Sequence, residues 1–390
     1  MKFNVTSRAK IALVLSPLVA SSASAFGQST PVVPRPTPAS SAGVLASAPR
    51  GLEAHYAQRE LGASAAVRAR LAKVRERAVA EGATYAVGYT SAIERSLADL
   101  SSVVEPPDAA VLERAARADV GRMQKDAAFK RAELEKTLPP RFRVAPRHVP
   151  SFTAGSARAD WRAEGKVSPV RDQGGCRVGW AFATVGALES AYLINGRKQA
   201  DASELAMLDC SGAVPDPLLP KCAQGGWPDK ALRWLHTRGT PAESGYTPDR
   251  SMGLQSCGPG TPEYYAAAWG YAPLTVAGLK DAIAAHGPVV VAVAVSDAFA
   301  AYAGGVFNQV IAGTWPEGTV ARHAVVLVGW DDGKQSWIVR NSWGVDWGEA
   351  AGGGERGYMY LRYGSSGLYH AVWVDAPALM ERMPDRPQAP

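Results

Sequence analysis

With 390 residues, 47% of them hydrophobic and including 11 Trp and 13 Tyr, the chain can fill a sizeable core, which excludes a wholly disordered protein. Its 39 Gly and 28 Pro stay below the share that marks a low-complexity chain. The net charge of +6 is spread without a dense Lys/Arg block, so no nucleic-acid partner is expected. In chain order, Lys2, Arg8 and Lys10 make a basic start, Ile11 to Ala20 is apolar apart from Ser16 and Pro17, and Ala23-Ser24-Ala25 supplies small residues. This pattern predicts a signal peptide over 1–25 with cleavage after Ala25. The apolar run is too short to cross about 30 Å of hydrocarbon, and no later segment is long enough, so no membrane span is expected. A secreted or bacterial periplasmic protein follows, with its four cysteines in an oxidising space where pairing is the default.

Residues 26–50, with Pro31, Pro34, Pro36 and Pro38 among Ser, Ala and Val, read as a flexible linker. A helical pattern runs from Leu52 to about Ala80, carried by Leu61, Val67, Leu71, Val74 and Val79. A second runs from Ala109 to Leu138, carried by Val111, Leu112, Val120, Met123, Phe129 and Leu134, until Pro139-Pro140 stop it. Between them, residues 84–90 are β-branched and aromatic, as in a strand. Residues 51–149 therefore form a mostly helical unit, which by pattern alone could equally be a structural or interaction module. After Pro150 the text becomes rich in Gly and Trp. One long helix is predicted from Gly179 or Trp180 to about Leu193, and strand-like runs follow at 289–295 and 324–328. The first of these has no polar alternation and should be buried on both faces. Helices first and strands later make an α+β fold. Residues 376–390 read as a disordered tail.

Several strings after residue 150 resemble the papain-like cysteine peptidases. Asp172-Gln173-Gly174-Gly175-Cys176-Arg177-Val178-Gly179-Trp180-Ala181-Phe182 is similar to the segment around that family's nucleophile. Arg322-His323-Ala324-Val325 and Trp337 to Gly344, the latter containing Asn341-Ser342-Trp343, are similar to its His and Asn segments. They lie far downstream, as in the papain-type pattern, with the Asn offset slightly long. Glu204 to Cys210, Cys222-Ala223-Gln224-Gly225-Gly226-Trp227-Pro228, and Gly287-Pro288-Val289 followed by Tyr302 to Phe307 are similar to further family segments in the same order. The resemblance covers about 150–375 and implies a two-lobed papain-like fold, with a helical left lobe and a β-barrel-like right lobe. It makes residues 51–149 a pro-segment that lays a strand backwards through the cleft.

Matched residue by residue, the resemblance implies disulfides Cys176–Cys222 and Cys210–Cys257. Each would close a loop of roughly 45 residues, worth about 4 kcal/mol in the chain-entropy model. No metal is expected, because no short-spaced Cys/His quartet exists, and no cofactor is expected. The resemblance makes His323 the general base, Asn341 the residue that orients its ring and Trp343 the cover over that hydrogen bond. It gives Gln173 and the backbone N–H of residue 179 to the oxyanion. Gly225 and Gly226 would hold an extended polypeptide by its backbone, and Trp227, Pro228 and Ala321 would line an apolar specificity pocket. A monomer is expected.

One position departs from the pattern. The nucleophile's place is Gly179, which has no side chain with which to attack a carbonyl. Cys176 is the nearest thiol but should point away and pair, and Thr184 and Ser190 lie too far along the helix. The leading expectation is a peptide-binding pseudopeptidase. An active endopeptidase whose Cys at 179 is altered in this sequence, and a non-catalytic scaffold, are the alternatives.

Overall fold

The computed structural model describes residues 50–196, 199–247, 257–311, 321–352 and 354–382. The expected signal peptide and nearly all of the expected linker lie outside them, as do residues 383–390 of the expected tail.

The amino-terminal segment begins with helices α1 (Arg50–Glu60) and α2 (Ala65–Ala80). The single helix expected over 52–80 is thus broken. Ser64, whose side chain accepts from the Val67 amide, starts α2 afresh and leaves Leu61 exposed in the break. A short strand, β1 (Tyr85–Val87), and a one-turn helix, α3 (Leu97–Leu100) with a Ser96/Asp99 capping box, lead to α4 (Ala109–Thr137). Only Ala109, Ala116 and Met123 of α4 are buried, a stripe that recurs every seventh residue. Val111 and Phe129, which carry the expected helical pattern, are exposed. The solvated face instead carries ion pairs such as Arg117–Glu113 and Arg131–Glu135, each worth about 0.3–0.5 kcal/mol.

Strands β2 (Phe142–Val144) and β3 (Arg158–Asp160) precede α5 (Gly179–Gly196), which is hydrophobic nearly all round and buried along almost its whole length. Helices α6 (Glu204–Cys210) and α7 (Pro228–Thr237) pack on α5. Then come β4 (Ala268–Tyr271), α8 (Val276–His286), β5 (Val289–Ala294), α9 (Asp297–Ala300) and β6 (Tyr302–Phe307). The chain continues with β7 (Arg322–Asp331), β8 (Ser336–Arg340), β9 (Tyr358–Arg362), β10 (Leu368–Asp375) and β11 (Met380–Arg382). The main sheet runs β1-β6-β9-β8-β7-β5-β10-β4, with β3 added to β7, and only the β6–β9 pairing is parallel. All six residues of β5 are buried, as its unbroken apolar run requires. The helix-rich side and the sheet give the two-lobed α+β papain-like fold.

Residues 380–382, expected in a disordered tail, instead pair antiparallel with Phe142–Val144. Both expected disulfides, Cys176–Cys222 and Cys210–Cys257, are formed, and no cysteine is free.

The amino-terminal segment docks on the sheet side before it reaches the cleft. Strand β1 adds to β6, and Tyr85 packs on Phe307 with ring centres 4.6 Å apart. Tyr56 donates to the Gly348 carbonyl at 2.7 Å, Arg59 pairs with Asp346 at 2.7 Å, and Arg70 pairs with Asp297 at 2.6 Å. Gly88 sits where a Cβ would lie 2.7 Å from the Tyr56 Cβ and 2.9 Å from that of Ala303. Gly88→Ala should therefore weaken the docking by about 1–3 kcal/mol through overpacking. The expected readout is faster limited proteolysis of residues 50–100 while the remainder stays resistant.

Candidate active site

Gly179 is the first residue of α5, where the backbone N–H groups of a helix start are unpaired and the dipole is positive. Strand β7 carries His323 beside it. An ideal Cβ at Gly179 would press on His323 Cε1 and lie 2.7 Å from its Nδ1. The imidazole thus occupies the space that a side chain at 179 would need. His323 is fully buried, and its Nε2 lies 2.8 Å from Asn341 Oδ1, just past the end of β8. That oxygen also accepts from the Ser342 amide at 2.8 Å, which sets the orientation of the Asn341 side chain. Nε2 therefore carries the proton and donates it, and Nδ1 is left with a lone pair that can accept a hydrogen bond beside Gly179. Trp343 stacks on the ring at 4.7 Å and is itself buried. Burial holds the His323 pKa down to about 4, with the Asn341 hydrogen bond opposing and Arg95 adding to the depression, so the ring is neutral near pH 7.

Gln173 is buried near the start of the same region. Its amide N–H donates to the Cys176 carbonyl at 2.8 Å and its carbonyl accepts from the Ser342 hydroxyl at 2.7 Å. One donor hydrogen is already committed to the loop that leads into α5.

Residues 101–105 run through the cleft between these groups. Val103 and Gly226 form a parallel bridge, Gly226 donates to the Ser102 carbonyl at 3.0 Å, and Val104 donates to the Gly226 carbonyl at 3.0 Å. On the other wall, the Ser102 and Val103 amides donate to the Arg322 carbonyl at 2.7 and 3.1 Å. Gly225 has φ +74°, and a Cβ there would lie 2.9 Å from the Ser102 carbonyl oxygen, so Gly225 lets the strand approach, whereas a Cβ at Gly226 would meet the Trp180 ring at 2.6 Å. Residues 101–105 thus lie in the cleft as a strand-like segment bonded to both walls.

Sequence reasoning missed the serine at its centre. Ser102 Oγ lies 2.9 Å from His323 Nδ1, accepts from the Ala324 amide at 3.3 Å, and would sit 2.7 Å from a Cβ at 179. No motif marks Ser102; only the fold brings it to a residue more than two hundred positions away.

The expected apolar pocket differs from what the structure places there. Trp227 is buried with its ring tilted against His370 at 4.5 Å, and both line a cavity of about 120 Å³ with Glu105, Glu113, Asp229 and Tyr369. Its lining is charged and includes neither Pro228 nor Ala321. Pro228 serves as the first residue of α7, where its missing N–H costs nothing, and the half-buried Ala321 accepts from the Val295 amide at 2.9 Å. His370 and Asp229 lie 2.5 Å apart in that wall, and the Tyr271 hydroxyl also donates to Asp229. Burial raises the Glu105 carboxyl pKa there, with Arg322 opposing it.

Among the described residues, no cluster of His, Cys, Asp and Glu could hold a metal ion, and no helix is long and apolar enough to cross a membrane.

The pattern of papain family cysteine proteases matches residues 156–373. Pro-cathepsin H from Medicago truncatula is 35% identical over 216 residues, covering 54% of this chain and 58% of the relative. Thiol protease aleurain from Arabidopsis thaliana is 33% identical over 213 residues, covering 53% and 56%. The chain thus spans less than two thirds of these relatives. Among solved structures, digestive procathepsin L 3 of the Tenebrio molitor larval midgut superposes with a TM-score of 0.52 at 24% identity, covering 83% of this chain and 99% of the other. This likeness concerns the fold, and it extends over the amino-terminal segment.

Proposed function

The chain belongs to the papain family of cysteine proteases, and on that premise we propose that it is a peptide-binding pseudopeptidase whose cleft is kept by its own pro-segment. The observation that carries the reading is Gly179. The histidine and asparagine of a peptidase site stand in hydrogen-bond register beside it, yet position 179 has no nucleophile, and all four cysteines are consumed in disulfides. Such a site holds a chain without cutting it in trans.

The cleft's ability to hold an extended polypeptide is supported by residues 102–104, whose backbone groups hydrogen-bond both walls. A peptide ligand would take those bonds from the segment once the segment is displaced. Residues 51–149 are the pro-segment and 150–375 the peptidase-like domain in this reading. His323, Asn341 and Gln173 keep the site's shape, and Gly225, Gly226 and Trp227 meet the ligand. Secretion as a monomer into the bacterial periplasm or beyond fits the two disulfides and the basic-apolar-small pattern of residues 1–25.

The retained His323–Asn341 pair favours a second reading, in which an active endopeptidase has lost its Cys at 179 by a single change. Binding separates the readings from a mere scaffold. With the segment cut at the exposed Pro139–Arg141 stretch and removed, an extended peptide should bind saturably and compete with a synthetic peptide of residues 99–106. Absence of saturable binding to the freed, folded domain would leave only the scaffold.

A further inference from the structure

The bond between Ser101 and Ser102 has a nucleophile, a base and a cation arranged around it, each supplied by a different part of the fold. Ser102 Oγ lies 2.9 Å from His323 Nδ1 and accepts from the Ala324 amide, so its own proton points to the ring. His323 in turn donates to Asn341, which fixes the tautomer that leaves Nδ1 free to accept. The carbonyl oxygen of Ser101 accepts from Arg177 Nε at 2.6 Å, and a second arm of that guanidinium is anchored on the Ala223 carbonyl at 2.9 Å. Hydrogen bonds to Arg322 and Gly226 clamp the Ser102 backbone on both sides. Nucleophile to base, base to orienting group, and donor on the reacting carbonyl are the three relations an acyl-transfer site requires.

Gly179 makes the arrangement possible. A Cβ at that position would lie 2.7 Å from both Ser102 Oγ and His323 Nδ1, and would part the hydroxyl from the ring. The vacancy left by the family's nucleophile is filled by another one, carried on the pro-segment.

We infer that the chain cuts itself once, between Ser101 and Ser102, with Ser102 as the nucleophile and His323 as the base. In the first step Ser102 Oγ gives its proton to His323 Nδ1 and attacks the Ser101 carbonyl carbon. The oxyanion forms against the Arg177 guanidinium. As the C–N bond breaks, the imidazolium returns the proton to the Ser102 nitrogen, and Ser101 is left as an ester on Oγ. In the second step water adds to the ester carbon and gives a proton to His323, which passes it to the departing Oγ. One peptide bond and one water become a carboxylate at Ser101 and a free amino group at Ser102. Ser101 is half-buried whereas Ser102 is fully buried, so the acyl residue is the more exposed of the two. The reaction has a single turnover, because the nucleophile attacks only its own neighbour. It does not depend on peptide binding by the cleft.

The full chain, purified and held at neutral pH, tests this by intact mass and amino-terminal sequencing over several days. The expected result is a first-order break giving a new amino terminus at Ser102, at a rate independent of protein concentration. Ser102→Ala should slow it at least 100-fold, Ser102→Cys should retain it, and hydroxylamine should accelerate it by trapping the ester. A folded full chain that stays intact, or one in which Ser102→Ala breaks at the same bond and rate, would overturn the inference. The first outcome would reduce Ser102 to a cap on His323, and the second would point to a contaminating protease.

Discussion

Gly179→Cys, made in the full chain, should give no proteolysis while the segment is in place, and after its removal should raise cleavage of an unfolded protein by three or more orders of magnitude over the parent. The steric part follows from the contacts at 179. A Cβ there meets both the His323 ring and the Ser102 hydroxyl, so the segment and the ring must shift, at a cost of about 1–3 kcal/mol. The catalytic part follows from the helix start and the ring. A thiol at the first turn of α5 gains from the helix dipole and lies beside a neutral imidazole that can take its proton. The His323 pKa, held down by burial in the parent, should then rise because a thiolate supplies the opposite charge that Gly179 lacks. Hydrolysis of casein and stoichiometric labelling by a thiol-reactive peptide epoxide, before and after cutting at Pro139–Arg141, check both parts. Equal cleavage by the parent and the Cys form would place the nucleophile elsewhere.

The second large effect is the dependence of stability on pH. His323 has a folded pKa of about 4 against an ordinary value near 6.5. Between those values the unfolded chain binds the proton and the folded chain does not. This contribution is therefore complete above pH 6.5 and is lost as pH falls towards 4, by about 3 kcal/mol in all. Glu204 acts with the opposite sign. Burial, and then the neighbouring Glu189, push its carboxyl up to about 8, so the folded protein holds a proton that the unfolded chain has released. That contribution is complete below about pH 4.5 and is lost as pH rises to about 8. Glu189 and Glu349, also raised by burial, reinforce it. Urea midpoints should change little between pH 4.5 and 6.5, where the two slopes oppose, and fall between 6.5 and 8. Glu204→Gln should flatten the alkaline fall and expose the rise between pH 4 and 6.5. A Gln variant with the parent's alkaline slope would show that Glu204 is already ionised at neutral pH.

The parts of the fold that were legible in the sequence are those in which burial dictates composition. Helix α5 is apolar nearly all round because it is enclosed nearly all round, and β5 lacks alternation because both its faces are covered. The site's His323, Asn341 and Trp343 were legible because each sits in a string of neighbours with its own packing role. The break between α1 and α2 was visible in principle, since Gly62 and the capping Ser64 interrupt the pattern. Leu61, which fits the helical spacing, masks it. In α4, Val111 and Phe129 fit the helical pattern, but a stripe of one buried residue in seven leaves most of the helix in solvent. Strand β11 is three residues in a proline-rich tail, too short for a period to register, and its partner lies at Phe142–Val144. Ser102 and Arg177 carried no local signal, because their significance exists only once residues 101–105 enter the cleft. The charge of the cavity beside Trp227 was equally invisible, since Glu105, Asp229 and His370 meet there from three separate stretches.

The central claim is that a cleft with Gly179 holds a peptide and does not hydrolyse it in trans. The direct measurement is one sample of the unmutated protein, freed of its segment, incubated with a peptide it binds and then analysed by mass spectrometry for both complex and products. The account predicts saturable complex formation and peptide recovered intact after many times the period in which the Gly179→Cys form consumes it. Peptide fragments accumulating in the unmutated sample at a rate comparable to that of the Cys form would contradict it.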